Sequence, residues 1–153
     1  MQFIATRVVP LLEALAGPVG ACLGTPFRVV NVRCWKTPAE AVREETNGWH
    51  TDELFPPEVL KVMLYLTPAG AETGTTELVL DDGTRVMAEG PPGTYLLFKN
   101  FERTHRGVPP RVGTRLVLEL TVAPWPEDDS RPVRAGLNAE FPLVPWAPVE
   151  GRP

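Results

Sequence analysis

The sequence predicts one domain dominated by β-strands and closed as a sandwich or barrel. Three observations predict it. The β-branched and aromatic runs are short, helical patterning is confined to one or two segments, and 13 Gly and 18 Pro punctuate the 153 residues. A chain of this length is expected to be one domain able to bury a sizeable core.

The elements follow in order. Residues 6 to 17 pattern as an amphipathic helix, with Leu11, Leu12, Ala14, Leu15 and Ala16 on its packing side and Gly17-Pro18 as its stop. Phe27 to Trp35 is a β-branched and aromatic run, hence a strand. Thr37-Pro38-Ala39-Glu40 has the form of a capping box with proline at the first helical position, so a short helix is expected to about Glu45. Asn47-Gly48 marks a turn, Trp49 to Leu54 a short extended piece, and Pro56-Pro57 a break. Val59 to Thr67 is the clearest strand, with Val62, Leu64 and Leu66 on one face and Lys61, Met63 and Tyr65 on the other. Asp81-Asp82-Gly83 between Thr75–Leu80 and Thr84–Ala88 reads as a hairpin. Gly90-Pro91-Pro92-Gly93 is a tight turn, and strands are expected over Thr94–Lys99 and Arg115–Val122. From Pro124 the composition shifts, with seven prolines in the last thirty residues. Residues 1–124 therefore read as the folded domain. Residues 125–153, which carry Trp125, Phe141 and Trp146, read as an extended strap on that domain or on a partner subunit. Periodicity alone leaves a jelly roll, an immunoglobulin-like sandwich and a cupin open.

Composition narrows the function classes. A net charge of -4 argues against a phosphate-binding surface, so no nucleic-acid partner is expected. No run of about 18 apolar residues exists, so no membrane partner is expected either. Val19-Gly20-Ala21-Cys22 has the outline of a lipoprotein cleavage site, but Glu13 and Pro10 interrupt the apolar stretch before it. Cys22 and Cys34 form no metal or disulfide pattern and are expected to be buried free thiols. The expected location is the cytoplasm.

The chemistry concentrates in Trp49-His50-Thr51-Asp52. In an extended segment, residues i and i+2 project to one face, so His50 and Asp52 can reach one metal. The chain has one other histidine, His105. Two histidines and a carboxylate form the facial triad of non-haem Fe(II) oxygenases, with positions left for a 2-oxo acid and O₂. The distal carboxylate of 2-oxoglutarate needs a cation. Arg115, ten residues after His105 at the start of the last long strand, offers a planar fork that matches a carboxylate. On that strand it points away from Leu116, Leu118 and Leu120, and an exposed arginine is the competing reading. Arg111 is the rival anchor, in the turn after Pro109-Pro110. Trp49 either walls the site or is a core aromatic.

The stretches WHTDELFPPEVLKVMLYLT, GPPGTYLLFKNFERTHRG and VGTRLVLELTVAP resemble phytanoyl-CoA dioxygenase-type members of the Fe(II)/2-oxoglutarate oxygenase superfamily, over about residues 47 to 124. The resemblance implies a double-stranded β-helix, a cupin-like jelly roll with one or two short flanking helices. It implies iron at His50, Asp52 and His105, and 2-oxoglutarate at Arg115, with Lys61 and Tyr65 pointing into the barrel beside it. The chain departs from the family in having little room for the helical region and insertions that shape the substrate pocket. It also has Thr73 to Leu80 and a hairpin where the family has a Pro-Gly-Ser-His stretch.

The expected activity is therefore oxidation of a small organic substrate by O₂, with succinate and CO₂ as co-products, in a monomer or a homodimer. The alternatives are a metal cupin enzyme that does not use 2-oxoglutarate and a non-catalytic jelly-roll binding module. Two histidines count against the first, because cupins often use three.

Overall fold

The structure is a computed structural model that describes residues 9–25, 27–39, 47–52, 56–99, 101–124, 134–137 and 139–142. It divides into two compact units, one of residues 1–31 and 122–153 and one of residues 32–121.

The first unit contains helix α1 (Val9–Leu23). The helix runs straight through Gly17-Pro18, where the sequence had placed its end. Proline there removes one intrahelical hydrogen bond, a cost of about 3 kcal/mol relative to alanine. Leu15, Ala16, Val19 and Gly20 lie buried along one stripe, and this burial outweighs the local signal. The actual stop is Gly24, whose positive φ of 70° turns the chain while its N–H donates to the Gly20 carbonyl at 2.8 Å. Because Pro18 is only half-buried, Pro18→Ala is expected to raise stability by about 1–3 kcal/mol, checked by urea unfolding. The same unit holds an antiparallel hairpin of β8 (Arg134–Leu137) and β9 (Ala139–Pro142). The rest of the Pro-rich strap lies outside the described residues.

Strand β1 (Phe27–Pro38) runs from the first unit into the second. It extends past the expected Trp35 through Thr37 and Pro38, and the short helix expected after them lies outside the described residues. Cys22 and Cys34 are free, as expected, but both are exposed. Cys22 sits off the buried stripe of α1. Cys34 lies where β1 runs exposed from Arg33 to Lys36.

The second unit carries β2 (Leu60–Tyr65), β3 (Thr75–Val79), β4 (Arg85–Met87), β5 (Tyr95–Lys99), β6 (His105–Val108) and most of β7 (Thr114–Pro124). They form two sheets, ordered β1-β7-β2-β5 and β4-β3-β6. The pairs β2–β5, β3–β4 and β3–β6 are antiparallel. Met63, Tyr65, Phe98 and Val117 from the first sheet meet Leu78 from the second and Ala88 just past β4 in one core cluster. Each such side chain contributes about 1.5–3 kcal/mol by leaving water. This two-sheet antiparallel arrangement is the jelly roll that the sequence predicts. All six residues of β2 are buried, so both of its faces are covered, whereas Leu66 beyond its end is exposed. The expected hairpin turn is present: Gly83 has φ 79°, and Leu80 donates to the Thr84 carbonyl at 2.8 Å. No helix among the described residues is long and apolar enough to cross a membrane.

Candidate metal centre

Backbone pairing builds the centre. His50 and His105 form an isolated antiparallel bridge and exchange both backbone hydrogen bonds, at 2.9 and 2.8 Å. Residues so paired project to the same side of their strands, and Asp52 follows two positions on. The ligand atoms of His50, Asp52 and His105 all lie within 4.8 Å of one another. His50 Nε2 is 3.8 Å from Asp52 Oδ1, and His105 Nε2 is 3.5 Å from Asp52 Oδ2.

Second contacts fix the tautomers. His50 Nδ1 lies 2.9 Å from the Gly48 carbonyl and His105 Nδ1 lies 2.9 Å from the Arg103 carbonyl. A carbonyl only accepts, so each Nδ1 carries a proton, and Nε2 is the ring atom turned toward Asp52 and the one a metal would take. The His105 ring, 4% exposed, also packs on Phe98 with centroids 5.0 Å apart. The His50 ring stands 4.3 Å from it. Two imidazole nitrogens and one carboxylate are a donor set that suits Fe(II).

Lys61 is buried on β2 and donates to Asp52 Oδ2. The anion partner that a buried lysine requires is thus a carboxylate of the triad itself. Burial raises the Asp52 carboxyl, but its interactions with His105 and Lys61 outweigh that and hold it well below the usual carboxylate range.

Arg115 is 7% exposed, not a surface arginine. It shares a face of β7 with Val117, Glu119 and Thr121, all buried. Burial pushes its guanidinium down, offset in part by Tyr65 and Glu119. Arg115 Nε and Tyr65 Oη are buried without a hydrogen-bond partner among the described residues, as are Thr76 Oγ1, Thr121 Oγ1 and His105 Nε2. A buried guanidinium with an unsatisfied Nε, near a buried, unsatisfied phenol, suits an anionic ligand. The rival Arg111 is exposed and paired with Glu72 at 3.1 Å.

Gly74 makes room for Arg115. A Cβ there would lie 3.0 Å from Arg115 Cδ and from Pro110 N, and φ is +87°. The position requires glycine for both reasons.

Trp49 neither walls the triad nor lies in the core. It is half-buried and points to the opposite face of its strand from His50, between Arg85 and Arg106. Glu77, Thr76, Thr121 and Glu119 are buried polar residues that the sequence reading missed. The available signal was polar side chains at i, i+2 spacing on strands otherwise apolar.

No family model matches the chain, and no curated protein does. Solved structures do. The non-haem α-ketoglutarate-dependent epimerase SnoN from nogalamycin biosynthesis is 19% identical, with TM-score 0.62, and the match covers 99% of this chain and 69% of that one. EctD from S. alaskensis with bound Fe is 18% identical, with TM-score 0.63, over 80% and 55% of the two chains. The non-haem monooxygenase ThoJ in its Ni complex is 16% identical, with TM-score 0.60, over 72% and 50%. This chain thus spans about half the length of the ThoJ and EctD chains it matches. Its fold is the one shared by these non-haem enzymes.

Proposed function

We propose that this chain carries a non-haem Fe(II) centre that uses 2-oxoglutarate and O₂ to oxidise a small organic substrate. The observation that carries the reading is the triad geometry. His50 and His105 each turn Nε2 toward the carboxylate of Asp52, with Nδ1 held by a backbone carbonyl. Fold likeness to SnoN, EctD and ThoJ supports it.

His50, Asp52 and His105 would hold the iron, and Lys61 would keep the Asp52 carboxylate oriented. Arg115 would bind the distal carboxylate of 2-oxoglutarate, with the Tyr65 hydroxyl donating beside it. When bound, iron and 2-oxoglutarate supply the two-electron oxidation of a C–H bond by O₂: one oxygen atom enters the substrate and the other enters succinate as CO₂ leaves. The side chains of His50 and Asp52 are partly open to solvent and that of His105 is closed off, so substrate would approach from the His50–Asp52 side. Phe98, packed on the buried His105 ring, would help keep water from the His105 side.

The test is an anaerobic titration of the metal-free protein with Fe(II) and 2-oxoglutarate. The expected result is a weak visible charge-transfer band that requires both additions. No band in the folded protein at saturating iron and 2-oxoglutarate would reject the reading. Metal uptake without a 2-oxoglutarate response would point to the cupin alternative, and no uptake at all to a binding module.

A further inference from the structure

We propose that Trp49, Arg106 and Glu77 are positioning residues for the metal centre: they clamp the arm that carries His50 and Asp52 from the face opposite the ligands. The inference rests on the triad reading above.

The argument starts from register. His50 and His105 are direct cross-strand partners, so their neighbours Trp49 and Arg106 face each other across the same two strands on the opposite side. Register carries both rows across the three-stranded sheet. His105 stands opposite Leu78, and Leu78 opposite Val86. Arg106 stands opposite Glu77, and Glu77 opposite Met87. One row places the metal ligands inside; the adjacent row lies outside.

The outer row is tightly bonded. Arg106 Cζ lies 4.6 Å from the centre of the Trp49 ring, and Arg85 Cζ, from β4, lies 5.1 Å from it. Arg106 Nε and Nη2 both reach Glu77 Oε2, at 2.8 and 2.6 Å. Glu77 is only 7% exposed, although it is a carboxylate on the outer face. A buried carboxylate and the guanidinium that neutralises it hold each other in place. Arg106, fixed from one side by Glu77, presents its flat cation to Trp49. The indole is thereby gripped by residues of two different strands.

This grip bears on the metal. The backbone bridge anchors His50, and the stack anchors the residue before it from the other face. Two anchors set the twist of the arm, and with it the place of Asp52 two residues on. Contacts of this kind, one step removed from a metal, change affinity by about 10- to 100-fold when lost.

The experiment uses Co(II) alone as a spectroscopic probe of the full chain, comparing wild type, Trp49→Ala, Trp49→Phe and Arg106→Gln. Heat unfolding of each metal-free protein is measured in parallel. Trp49→Ala and Arg106→Gln are expected to lose about 10- to 100-fold in Co(II) affinity and to shift its ligand-field spectrum. Trp49→Phe, which keeps a π face for Arg106, is expected to recover most of both. Co(II) affinity and spectrum unchanged in Trp49→Ala, with wild type binding normally, would overturn the clamp and leave the triad standing. A wild type that takes up no Co(II) would overturn the triad reading and the clamp with it. Should Trp49→Ala not fold, Arg106→Gln decides by the same criteria, since its amide can still donate to Glu77.

Discussion

Replacing Asp52 with alanine is expected to lower Fe(II) affinity by more than about 100-fold and to abolish the charge-transfer band, because it removes the only carboxylate of the triad. Stability should fall as well. Lys61 loses the carboxylate it donates to and is left buried without a counter-charge. Breaking a fully buried pair costs about 3–5 kcal/mol, and Asp52 is partly open to solvent, so about 1–3 kcal/mol is expected here. Lys61→Met separates the two effects. It removes the buried cation together with its need for a partner, and leaves all three donor atoms in place. Its metal-free form is expected to stay close to wild type in stability and to bind iron within about tenfold. Isothermal titration and urea unfolding of the two variants check both halves. A Lys61→Met protein as deficient in iron as Asp52→Ala would show that the lysine does more than orient the carboxylate.

Arg115→Leu is expected to have the opposite signature: iron binding preserved within a few-fold, 2-oxoglutarate binding lost. Truncating one member of a buried charge pair costs about 2–5 kcal/mol, or about 30- to 4,000-fold in affinity. The metal-free variant should nevertheless be at least as stable as wild type, because a buried guanidinium whose Nε lacks a partner is itself a cost to the fold. Gly74→Ala approaches the same arginine from behind. Its Cβ would crowd Arg115 and the Pro110 nitrogen, so 2-oxoglutarate affinity should drop while iron affinity holds. The check is a 2-oxoglutarate titration at saturating iron, with melting temperature recorded for each protein. Unchanged 2-oxoglutarate affinity in Arg115→Leu would move the co-substrate away from this strand.

The parts of the molecule that were legible in the sequence are those governed by strict period. Alternation placed the β2 and β7 strands, Asp-Asp-Gly marked the hairpin, and i, i+2 spacing put His50 and Asp52 on one face. That His105 would meet them was read from scarcity, since the chain has two histidines; the bridge that brings them together is long-range and leaves no local trace. Local signals failed where tertiary burial overrode them. Gly17-Pro18 did not stop α1, because the stripe from Leu15 to Gly20 is buried across it. Cys22 and Cys34 were placed inside on residue type alone, and neighbours decided otherwise. Arg115 alternated away from a leucine face, which suggests solvent to a reader who assumes one dry side; the face it shares with Val117, Glu119 and Thr121 is itself buried. Glu77 escaped for the same reason, since the outer row of a sheet is read as wet unless its register is known, and Trp49, read as a site wall or a core aromatic, needed the same register to be placed.

The bridge between His50 and His105 has a last consequence. These two residues lie far apart along the chain and are neighbours only once β6 has docked. An ion taken by the proposed site would therefore find no such pocket in the denatured ensemble, and each ion bound would withdraw one chain from the unfolding equilibrium. Occupancy and heat resistance would then become one variable read in two ways. A chelator would then act as a mild denaturant of this protein, and a melting curve would serve as an assay of how fully a sample is loaded.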